Sequence, residues 1–358
     1  MKVLMISLDR GMFGGGFSGD VVERHQKYAD LAGSLDVLVF ASEKFQNRQW
    51  KKNFRVFSTR SSRTTHYKKA FEVFKNLQTQ NFYDLIVTQD FAAPVGKKIK
   101  QKYGLPWIVT IHGMFFSGRW IGFNPIKWLL LREIKKSLYL ADGFKANNQT
   151  TKEKLFTWGI KNPVLIQPTP ANIEGFKTEE KPHNEILKIL FVGRLSREKN
   201  LAMLIRVARK IQLPFDLTIV GEGDERKKLE NLSKGAKNIK FVGGKRLPEL
   251  AEYFKQADIF VLPSDTESYG VVLLQAAAAG CAIIATKTAG AMNLIKNDRG
   301  ILIDVGDEIK LEDSLERLIT DKNLRNNLAV NARQMIKNYD SEEGVEKVVE
   351  FWKKIINK

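Results

Sequence analysis

Short aliphatic runs alternate along the chain with longer stretches in which apolar residues recur every three or four positions. The short runs have the length of strands and the longer stretches have the period of helices, so the pattern predicts repeated strand and helix units in parallel sheets. In the first half, the predicted strands lie near residues 3–8, 35–40, 84–88, 107–111 and 163–167. A second series then begins afresh, with predicted strands near residues 186–192, 215–220, 238–243, 257–262 and 281–286.

The restart of this series predicts an α/β protein with two Rossmann-like domains. The segment between them, QPTPANIEGFKTEEKPHNE, is rich in proline, glycine and charge and lacks an apolar period, which is typical of a linker. A final predicted helix has an apolar face of its own, built from Val345, Val348, Val349, Phe351, Trp352, Ile355 and Ile356. We therefore expect an N-terminal domain at 1–172, a C-terminal domain at 173–338 and a last helix at about 339–358.

Composition narrows the class of protein. The 358 residues are 43% hydrophobic and 27% charged, which excludes a disordered, coiled-coil or disulfide-stapled chain. The single cysteine, Cys281, cannot form an intrachain disulfide, and this favours a reducing compartment. The first apolar run is too short for a secretory signal, and the longest, at 271–286, is interrupted by Gln275 and Gly280. We expect a cytoplasmic protein, either soluble or peripheral on the membrane.

Positive charge is concentrated in the first half of the chain. The formal net charge is +18, and residues 1–172 contribute 27 Lys and Arg against 12 Asp and Glu, whereas residues 173–358 contribute 31 against 28. The densest part, residues 43–75, has ten cations and two acids. Anionic lipid, nucleic acid or a charged substrate would suit such a domain. A well-solvated surface of a lysine-rich protein explains the same counts.

A glycine-rich loop follows the first predicted strand, and residues 14–19 formally fit the pattern G-x-G-x-x-G. In dinucleotide-binding proteins the first glycine follows the strand directly, whereas here residues 9–13 intervene. Residues without a Cβ let backbone N–H groups approach phosphate oxygens at a helix N-terminus. Gly15 and Gly16 are therefore candidate phosphate-binding residues, and a purely structural turn is the alternative.

Two segments of the second half carry further candidates. In FVGRLSREKN, Arg194 and Lys199 lie between a predicted strand and a helix, where a guanidinium fork and an ammonium suit a diphosphate, although a simple basic loop would look similar. In LPSDTESYGVVLLQA, Gln275 follows Glu267 by eight positions, a rise of ~12 Å in a continuous helix. The two side chains would then serve opposite ends of one extended ligand. A plain charge at a helix N-terminus is the alternative for Glu267.

Together these segments resemble those of the retaining GT-B glycosyltransferases of glycosyltransferase family 4. The resemblance covers most of the chain through the glycine-rich loop, the Thr110-Ile111-His112-Gly113 strand end, VGRLSREKN, IVGEG, ADIFVLPS and the block at 267–275. It implies two Rossmann-like domains that face each other across a cleft. It also implies that the C-terminal helix crosses back to the N-terminal domain.

The resemblance implies roles for the candidate residues. Arg194 and Lys199, together with Gly15 and Gly16, would bind the diphosphate of a nucleotide-sugar donor. Glu267 and His112 would act at the reaction centre, and the sugar would be contacted by Glu267, Ser268, Tyr269 and Gly270. The family has a second Glu where this chain has Gln275, and its amide has one acceptor oxygen where a carboxylate offers two to the ribose hydroxyls. Pro168-Thr169-Pro170 also replaces the usual Pro-Asn-Gly turn.

The implied activity is retaining transfer of a sugar, most readily a hexose, from a UDP- or GDP-linked donor to a glycan or lipid-linked acceptor. We expect neither a metal ion nor a cofactor, since the chain has no Asp-x-Asp motif. A GT-B-like nucleotide-sugar epimerase would share both domains. A dinucleotide-dependent dehydrogenase would use the glycine loop, and a nucleic-acid-binding protein would use the basic half, but no nucleic-acid module is recognisable.

An anionic membrane surface is a further expected partner of the N-terminal domain. Basic residues of the 44–75 segment would supply attraction to acidic lipid, and aromatic residues suit the interface between lipid and water. The aromatic residues that follow His112 are Phe115, Phe116, Trp120, Phe123 and Trp128. A basic, solvated domain whose aromatic side chains are core or line an acceptor cleft is the alternative.

Overall fold

The computed structural model describes residues 1–14, 20–62, 64–113, 116, 121–179, 181–337, 339 and 341–358. The chain forms two compact units, one of Met1–Ala171 with Asp340–Lys358 and the other of Asn172–Tyr339. We call them unit 1 and unit 2. The described helices include none with both the length and the apolar run that a bilayer crossing needs.

Unit 1 is built on an eight-stranded sheet with the order β3-β4-β2-β1-β5-β6-β7-β8. Neighbouring strands are parallel except for β3, which runs antiparallel to β4 at the edge. The strands are β1 (Lys2–Ser7), β2 (Ser34–Val39), β3 (Arg48–Lys51), β4 (Phe54–Ser58), β5 (Leu85–Gln89), β6 (Trp107–Ile111), β7 (Gly143–Ala146) and β8 (Val164–Ile166). The described helices are α1 (Val21–Ala32), α2 (His66–Asn81), α3 (Ala93–Tyr103), α4 (Pro125–Leu138), α5 (Gln149–Thr157) and α13 (Ser341–Ile356).

Helices cover both faces of this sheet, because successive residues of the central strands point to opposite sides. Leu4 and Ile6 of β1 pack in a core with the apolar residues of α2 and α3. Val3 and Met5 pack in a second core with those of α1 and α13. The C-terminal helix therefore belongs to unit 1, as the resemblance implied, and its apolar face is buried as the spacing predicted.

The sequence pattern missed three strands of this sheet. β4 carries Arg55 inside the basic segment, and its ion pair with the buried Asp36 of β2, at 2.6 Å, makes that charge part of the fold. Arg48 of β3 lies 4.2 Å above the ring of Trp50. β7 has only four residues and includes Lys145. Short strands that contain charged residues lack the apolar run from which strands are predicted.

Unit 2 has a six-stranded parallel sheet with the order β11-β10-β9-β12-β13-β14. Its strands are β9 (Leu187–Val192), β10 (Phe215–Val220), β11 (Ile239–Gly243), β12 (Ile259–Leu262), β13 (Ala282–Thr286) and β14 (Ile301–Ile303). Its helices are α6 (Leu201–Ala208), α7 (Arg226–Leu232), α8 (Leu247–Gln256), α9 (Val271–Ala278), α10 (Ala289–Leu294), α11 (Glu308–Thr320) and α12 (Lys322–Ala332). The predicted strands of this half recur within a few residues, and β14 is the addition.

Much of the predicted linker packs as part of unit 2. Ile173 and Phe176 are buried in its core, and the Phe176 ring meets that of Phe254 edge to face at 5.3 Å. Lys181 donates hydrogen bonds to the carbonyl oxygens of Phe254 and Ala257 at the end of α8. The burial of these two apolar side chains was not apparent from the composition of the segment, which is dominated by charge and proline. The division at 171/172 lies one residue from the expected domain boundary.

Candidate active site

The carboxyl end of β5 positions the strand ends on either side of it. Gln89 Oε1 accepts a hydrogen bond from Ser7 Oγ at 2.6 Å, and Ser7 Oγ accepts one from the Asp9 N–H at 3.0 Å. On the other side, Asp90 Oδ1 accepts the N–H groups of His112 and the following glycine at 2.8 and 3.2 Å. β5 lies between β1 and β6. The adjacent residues Gln89 and Asp90 therefore hold the starts of the loops that follow β1 and β6.

Asp90 is held in an uncommon state. Its φ of 43° lies in the left-handed region, which costs about 1 kcal/mol or more for a residue with a side chain. Burial raises the pKa of its carboxyl group to about 6, while the two N–H groups and the positive charge of Lys145 act in the opposite direction. The hydrogen bonds to the His112 turn thus compensate for the backbone strain of Asp90 and for the burial of its carboxyl group.

A chain of hydrogen bonds connects Lys145 of β7 to the His112 ring. Lys145 Nζ donates to Asn147 Oδ1 at 2.8 Å, and Thr169 Oγ1 donates to the same oxygen at 3.2 Å. Thr169 Oγ1 in turn lies 3.1 Å from His112 Nδ1. Asn147 Nδ2 donates to the His112 carbonyl oxygen at 3.4 Å. Both the ring and the backbone of His112 are therefore held by residues beyond β7 and β8.

His112 is neutral at physiological pH. Its pKa lies well below the ordinary value, first because the ring is buried and then because Lys145 and Arg24 place positive charge near it. Burial and Arg24 also lower the pKa of Lys145 itself, to about 7, with Asp90 opposing them. Arg24 Nη1 contacts Asp20 Oδ1 at 2.6 Å and the Pro170 carbonyl oxygen at 2.9 Å. Positive charge thus lies near a partly buried His112 ring.

The candidate phosphate-binding glycines, Gly15 and Gly16, lie outside the described residues, as do Phe115 and Trp120. The described part of the first loop begins with a short turn at Arg10–Phe13, in which the Asp9 side chain accepts from the Gly11 N–H. Gly14 ends this turn with a φ of 71°, and a Cβ there would lie 2.8 Å from the Trp50 ring. At this position, glycine is required by both conformation and space.

In unit 2, Lys199 and Glu267 come together. Lys199 Nζ lies 2.6 Å from Glu267 Oε2, and the two side chains are only 20% and 16% exposed. Lys199 ends a short turn after β9, and Glu267 lies in the loop between β12 and α9. Since β9 and β12 are neighbours in the sheet, their carboxyl ends meet at the same edge. Two residues to which the resemblance gives different roles, binding the diphosphate and contacting the sugar, are thus in direct contact.

Further bonds fix the same two loops to each other. Asn200 Nδ2 donates to Asp265 Oδ1 at 3.0 Å, and the Asp265 N–H donates to the Glu198 carbonyl oxygen at 2.8 Å. The Glu267 carbonyl oxygen accepts from the Gly290 N–H at 2.9 Å. A Cβ at Gly290 would lie 2.7 Å from the Tyr269 backbone. The loop that carries Glu267 is thus fixed on two sides, which preorganises its carboxylate.

Arg194 occupies the exposed part of the loop after β9. The IVGEG segment supports this loop, because a Cβ at Gly221 would lie 1.9 Å from the Gly193 carbonyl oxygen and one at Gly223 would lie 2.2 Å from that of Leu195. Two glycines are therefore needed for the loops after β9 and β10 to approach each other. The two glycines of the IVGEG segment therefore have a structural role.

The residues after Glu267 differ in how far their side chains are buried. Tyr269 is 6% exposed and its ring belongs to the core of unit 2, so only its backbone faces the loop. Gly270 has a φ of 83° and directly precedes α9, and Ser268 is half-buried. Gln275 is 7% exposed in α9. Because α9 begins at Val271, only part of the Glu267–Gln275 spacing is helical, and the rise calculated for a continuous helix does not apply.

No local sequence pattern marks Asp90, Lys145, Asn147 and Thr169 together as site residues. One signal was available, since a lysine in the otherwise apolar GFKA run predicts a buried charge with partners. Thr169 was noticed only as a departure from a turn motif. In the described residues, no three His, Cys, Asp or Glu side chains are grouped as metal ligands.

Residues 173–335 match the family model of the glycosyl transferases group 1. An uncharacterized glycosyltransferase of Methanocaldococcus jannaschii is 27% identical over 285 residues, which are 77% of this chain and 78% of that protein. This protein is a glycosyltransferase. A Campylobacter jejuni enzyme, named an α-1,4-N-acetyl-D-galactosaminyltransferase of a diNAcBac-PP-undecaprenol glycan, is 31% identical over 242 residues, 65% of this chain and 64% of its own.

Solved structures support the fold of the glycosyltransferase over its whole length. Sucrose-phosphate synthase from Thermosynechococcus elongatus superposes with a TM-score of 0.88 at 20% identity, covering 100% of both chains. Anabaena HepE in complex with UDP-glucose superposes with a TM-score of 0.81 at 20% identity, covering 99% of this chain and 100% of its own. The fold is that of the GT-B glycosyltransferases, as the resemblance implied. The matches support neither the epimerase nor the nucleic-acid-binding alternative.

Proposed function

We propose that this glycosyltransferase moves a hexose from a UDP- or GDP-linked donor to a glycan or lipid-linked acceptor, with retention of the anomeric configuration. The observation that carries the proposal is the contact of Lys199 with Glu267 at the carboxyl edge of the unit 2 sheet. It places a cation that suits the departing diphosphate beside an acid that suits the transferred sugar. The complex of HepE with UDP-glucose gives a precedent for such a donor on this fold.

In the proposed reaction the bond between the anomeric carbon and the diphosphate oxygen breaks, and its electron pair stays on the diphosphate. Arg194 and Lys199 would stabilise that growing negative charge without a metal ion, as preorganised electrostatic groups. Glu267 would hold the sugar hydroxyl groups while positive charge develops on the ring. The acceptor oxygen would bond to the anomeric carbon on the face that the diphosphate leaves, and its proton would pass to the departing phosphate oxygen.

Unit 1 is the proposed acceptor half, with His112 as its proposed catalytic residue and Gly15 and Gly16 as proposed diphosphate-binding residues. The relative from Campylobacter jejuni, named for a glycan on PP-undecaprenol, makes a lipid-linked acceptor a reasonable candidate. Gln275 would face the ribose. The activity requires no cofactor, because the donor carries the leaving group.

A panel of UDP-, GDP- and ADP-linked sugars tests the donor assignment, by calorimetry for binding and by release of nucleoside diphosphate for slow hydrolysis. Hydrolysis does not require the acceptor to be known. Binding of one nucleotide class, with loss of hydrolysis in Lys199→Ala, is the expected result. Arg197→Ala is the matched control, since Arg197 is an exposed cation in the same turn. Lack of binding to every nucleotide sugar would contradict the proposal.

We further propose that unit 1 works at an anionic surface of the cytoplasmic membrane. The aromatic residues after His112 divide into two groups: Phe116 packs edge to face on Trp158 at 5.8 Å, whereas Phe123 and Trp128 are 106% and 56% exposed. Ile126 and Leu129 of α4 are also exposed, at 75% and 61%. The beginning of α4 thus presents an apolar surface to solvent.

The end of the same helix is anchored and basic. Ile134 and Leu138 are buried in unit 1, while Arg132 and Lys136 are exposed. Apolar side chains flanked by cations suit the boundary between acyl chains and acidic headgroups, with about 1 kcal/mol of attraction for each cation near the surface. This favours α4 as the insertion site, with the 44–75 segment as additional charge.

Sedimentation with vesicles tests the membrane proposal. Binding should require anionic lipid, decrease with added salt, and fall when Phe123 and Ile126 become Ser or when Lys51, Lys52, Lys68 and Lys69 become Glu. Val330→Ser on the exposed surface of α12 in unit 2 serves as the control, since Val330 is 62% exposed. Equal binding to neutral vesicles, or none to anionic vesicles at low salt, would contradict it.

A further inference from the structure

The hydrogen bonds around His112 carry information about the position of its ring proton. A neutral imidazole has one N–H donor and one acceptor nitrogen, and only its partners decide which nitrogen is which. The partner of Nδ1 is the hydroxyl group of Thr169, which has a single hydrogen to donate. The direction of that one hydrogen therefore decides whether Nδ1 donates or accepts in this contact.

The Thr169 hydrogen is directed by Asn147. The Asn147 carbonyl oxygen faces both Lys145 Nζ at 2.8 Å and Thr169 Oγ1 at 3.2 Å, and its amide nitrogen faces the His112 carbonyl oxygen at 3.4 Å. Rotating the amide by 180° would place its NH₂ against the Lys145 ammonium group and its oxygen against a carbonyl oxygen. Both contacts would be repulsive, so the amide has one orientation.

With this orientation, the Thr169 hydroxyl group donates to Asn147 and can only accept from His112 Nδ1. We propose that Lys145, Asn147 and Thr169 form a hydrogen-bond relay that fixes His112 as the tautomer with its proton on Nδ1. The lone pair then lies on Nε2, so His112 accepts a hydrogen bond from a ligand hydroxyl group rather than donating one. The three relay residues are positioning residues for His112, and the role in transfer rests on the proposed function.

The surroundings keep the relay intact. Lys145 and Asn147 are each only 3% exposed, so the end of the relay that orients the amide is shielded from water, while Thr169 and His112 are partly buried. Asp90 holds the backbone of His112 and supplies the negative charge near Lys145, while Arg24 and His25 are the other charged or titratable groups that act on the ring. The lowered pKa of His112 keeps the ring neutral, as a choice of tautomer requires.

Nuclear magnetic resonance of protein with ¹⁵N-labelled histidine rings tests the relay directly. The chain has four histidines, and two of them serve as internal references. His25 Nδ1 lies 2.7 Å from the Val21 carbonyl oxygen, which can only accept, so His25 must carry its proton on Nδ1. His183 is exposed, so it serves as the reference for a solvated imidazole ring. The His112 signal is assigned by its loss in His112→Gln, at pH 6.5 where Lys145 is charged.

Wild-type protein should give a His112 pattern like that of His25. Thr169→Val should shift it towards the proton on Nε2 and lower kcat on the order of tenfold or more with little change in the donor KM. Thr169→Ser keeps the hydroxyl group and should restore both readouts, and Lys145→Met should loosen the preference. A proton on Nε2 in the wild type, or an unchanged pattern in Thr169→Val, would overturn the relay. The expected pattern without any sugar transfer would instead reject the proposed function.

Discussion

The candidate residues of the two units follow the carboxyl ends of parallel strands, but they are held by different forces. In unit 1, His112 is positioned by hydrogen bonds to neighbouring residues, with Asp90 on the backbone and Thr169 on the ring. In unit 2, Lys199 and Glu267 hold each other through an ion pair that is partly open to solvent. The first arrangement is fixed by contacts within unit 1 alone. Under the proposed function, the second would exchange its internal partner for the ligand.

The difference matches the charge that each site has to handle. A diphosphate brings its own negative charge, so a partly exposed cation whose carboxylate partner can be displaced would stay available for it. A neutral sugar or acceptor hydroxyl group brings none, so selectivity depends on which atom accepts and which donates. Testing the two sites separately therefore requires charge variants in unit 2 and hydrogen-bond variants in unit 1.

The largest expected effect concerns the cations of unit 2. Lys199→Ala and Arg194→Ala should each lower transfer by on the order of 10²-fold or more, because under the proposed function each removes a cation that would stabilise the departing diphosphate. Steady-state kinetics with the matched Arg197→Ala variant as control measures this. Near-normal turnover in both variants would refute the diphosphate assignment.

Glu267→Gln should distinguish the role of Glu267 in transfer from the role of Lys199 in nucleotide binding. Transfer should fall by on the order of 10- to 100-fold, since hydrogen bonds to a charged group are worth about 1.5–3 kcal/mol. Affinity for nucleoside diphosphate should stay the same or rise, because Lys199 loses its competing carboxylate. Calorimetry with UDP and GDP checks the second half. Parallel loss of transfer and nucleotide affinity would move Glu267 to the nucleotide end.

The buried lysine of unit 1 should appear in the pH dependence of stability. Its folded-state pKa of about 7 is below the value of an unfolded lysine, so between these values the unfolded chain binds more protons and the free energy of unfolding rises with pH. From pH 7 to 8.5 the gain is at most about 2 kcal/mol. Urea unfolding should show this rise in the wild type and in Lys161→Met, an exposed control, but not in Lys145→Met. An identical slope in all three proteins would show that Lys145 is not buried as a charge.

The smallest expected effect belongs to the departure at position 275. If Gln275 faces the ribose, Gln275→Glu should tighten nucleotide binding by roughly 1 kcal/mol, because a carboxylate offers two acceptors to the diol. The position is 7% exposed, so the new charge must be paired by the ligand to be tolerated. Calorimetry on both proteins decides between these outcomes, and weaker binding would mean that the site has adapted to an amide.

The sequence predicted unit 2 better than unit 1, for a physical reason. Strands that are buried on both faces, such as β9 and β12, are continuous apolar runs and were found within a few residues. β3, β4 and β7 are short and contain charged residues whose stabilising partners are remote in sequence, as with Arg55 and Asp36. Local patterns do not contain such pairs.

The sequence by itself determined the class of fold, the number of domains and the apolar face of the last helix. It also determined the candidate residues His112, Arg194, Lys199 and Glu267. These depend on local runs, spacing and motif resemblance. The tertiary structure decided which side chains meet: Lys199 with Glu267 across 68 positions, and His112 with Thr169 across 57. The relay beneath His112 exists because parallel strands bring their carboxyl ends to one edge, and only the folded sheet places Lys145, Asn147 and Thr169 within hydrogen-bonding distance of one another.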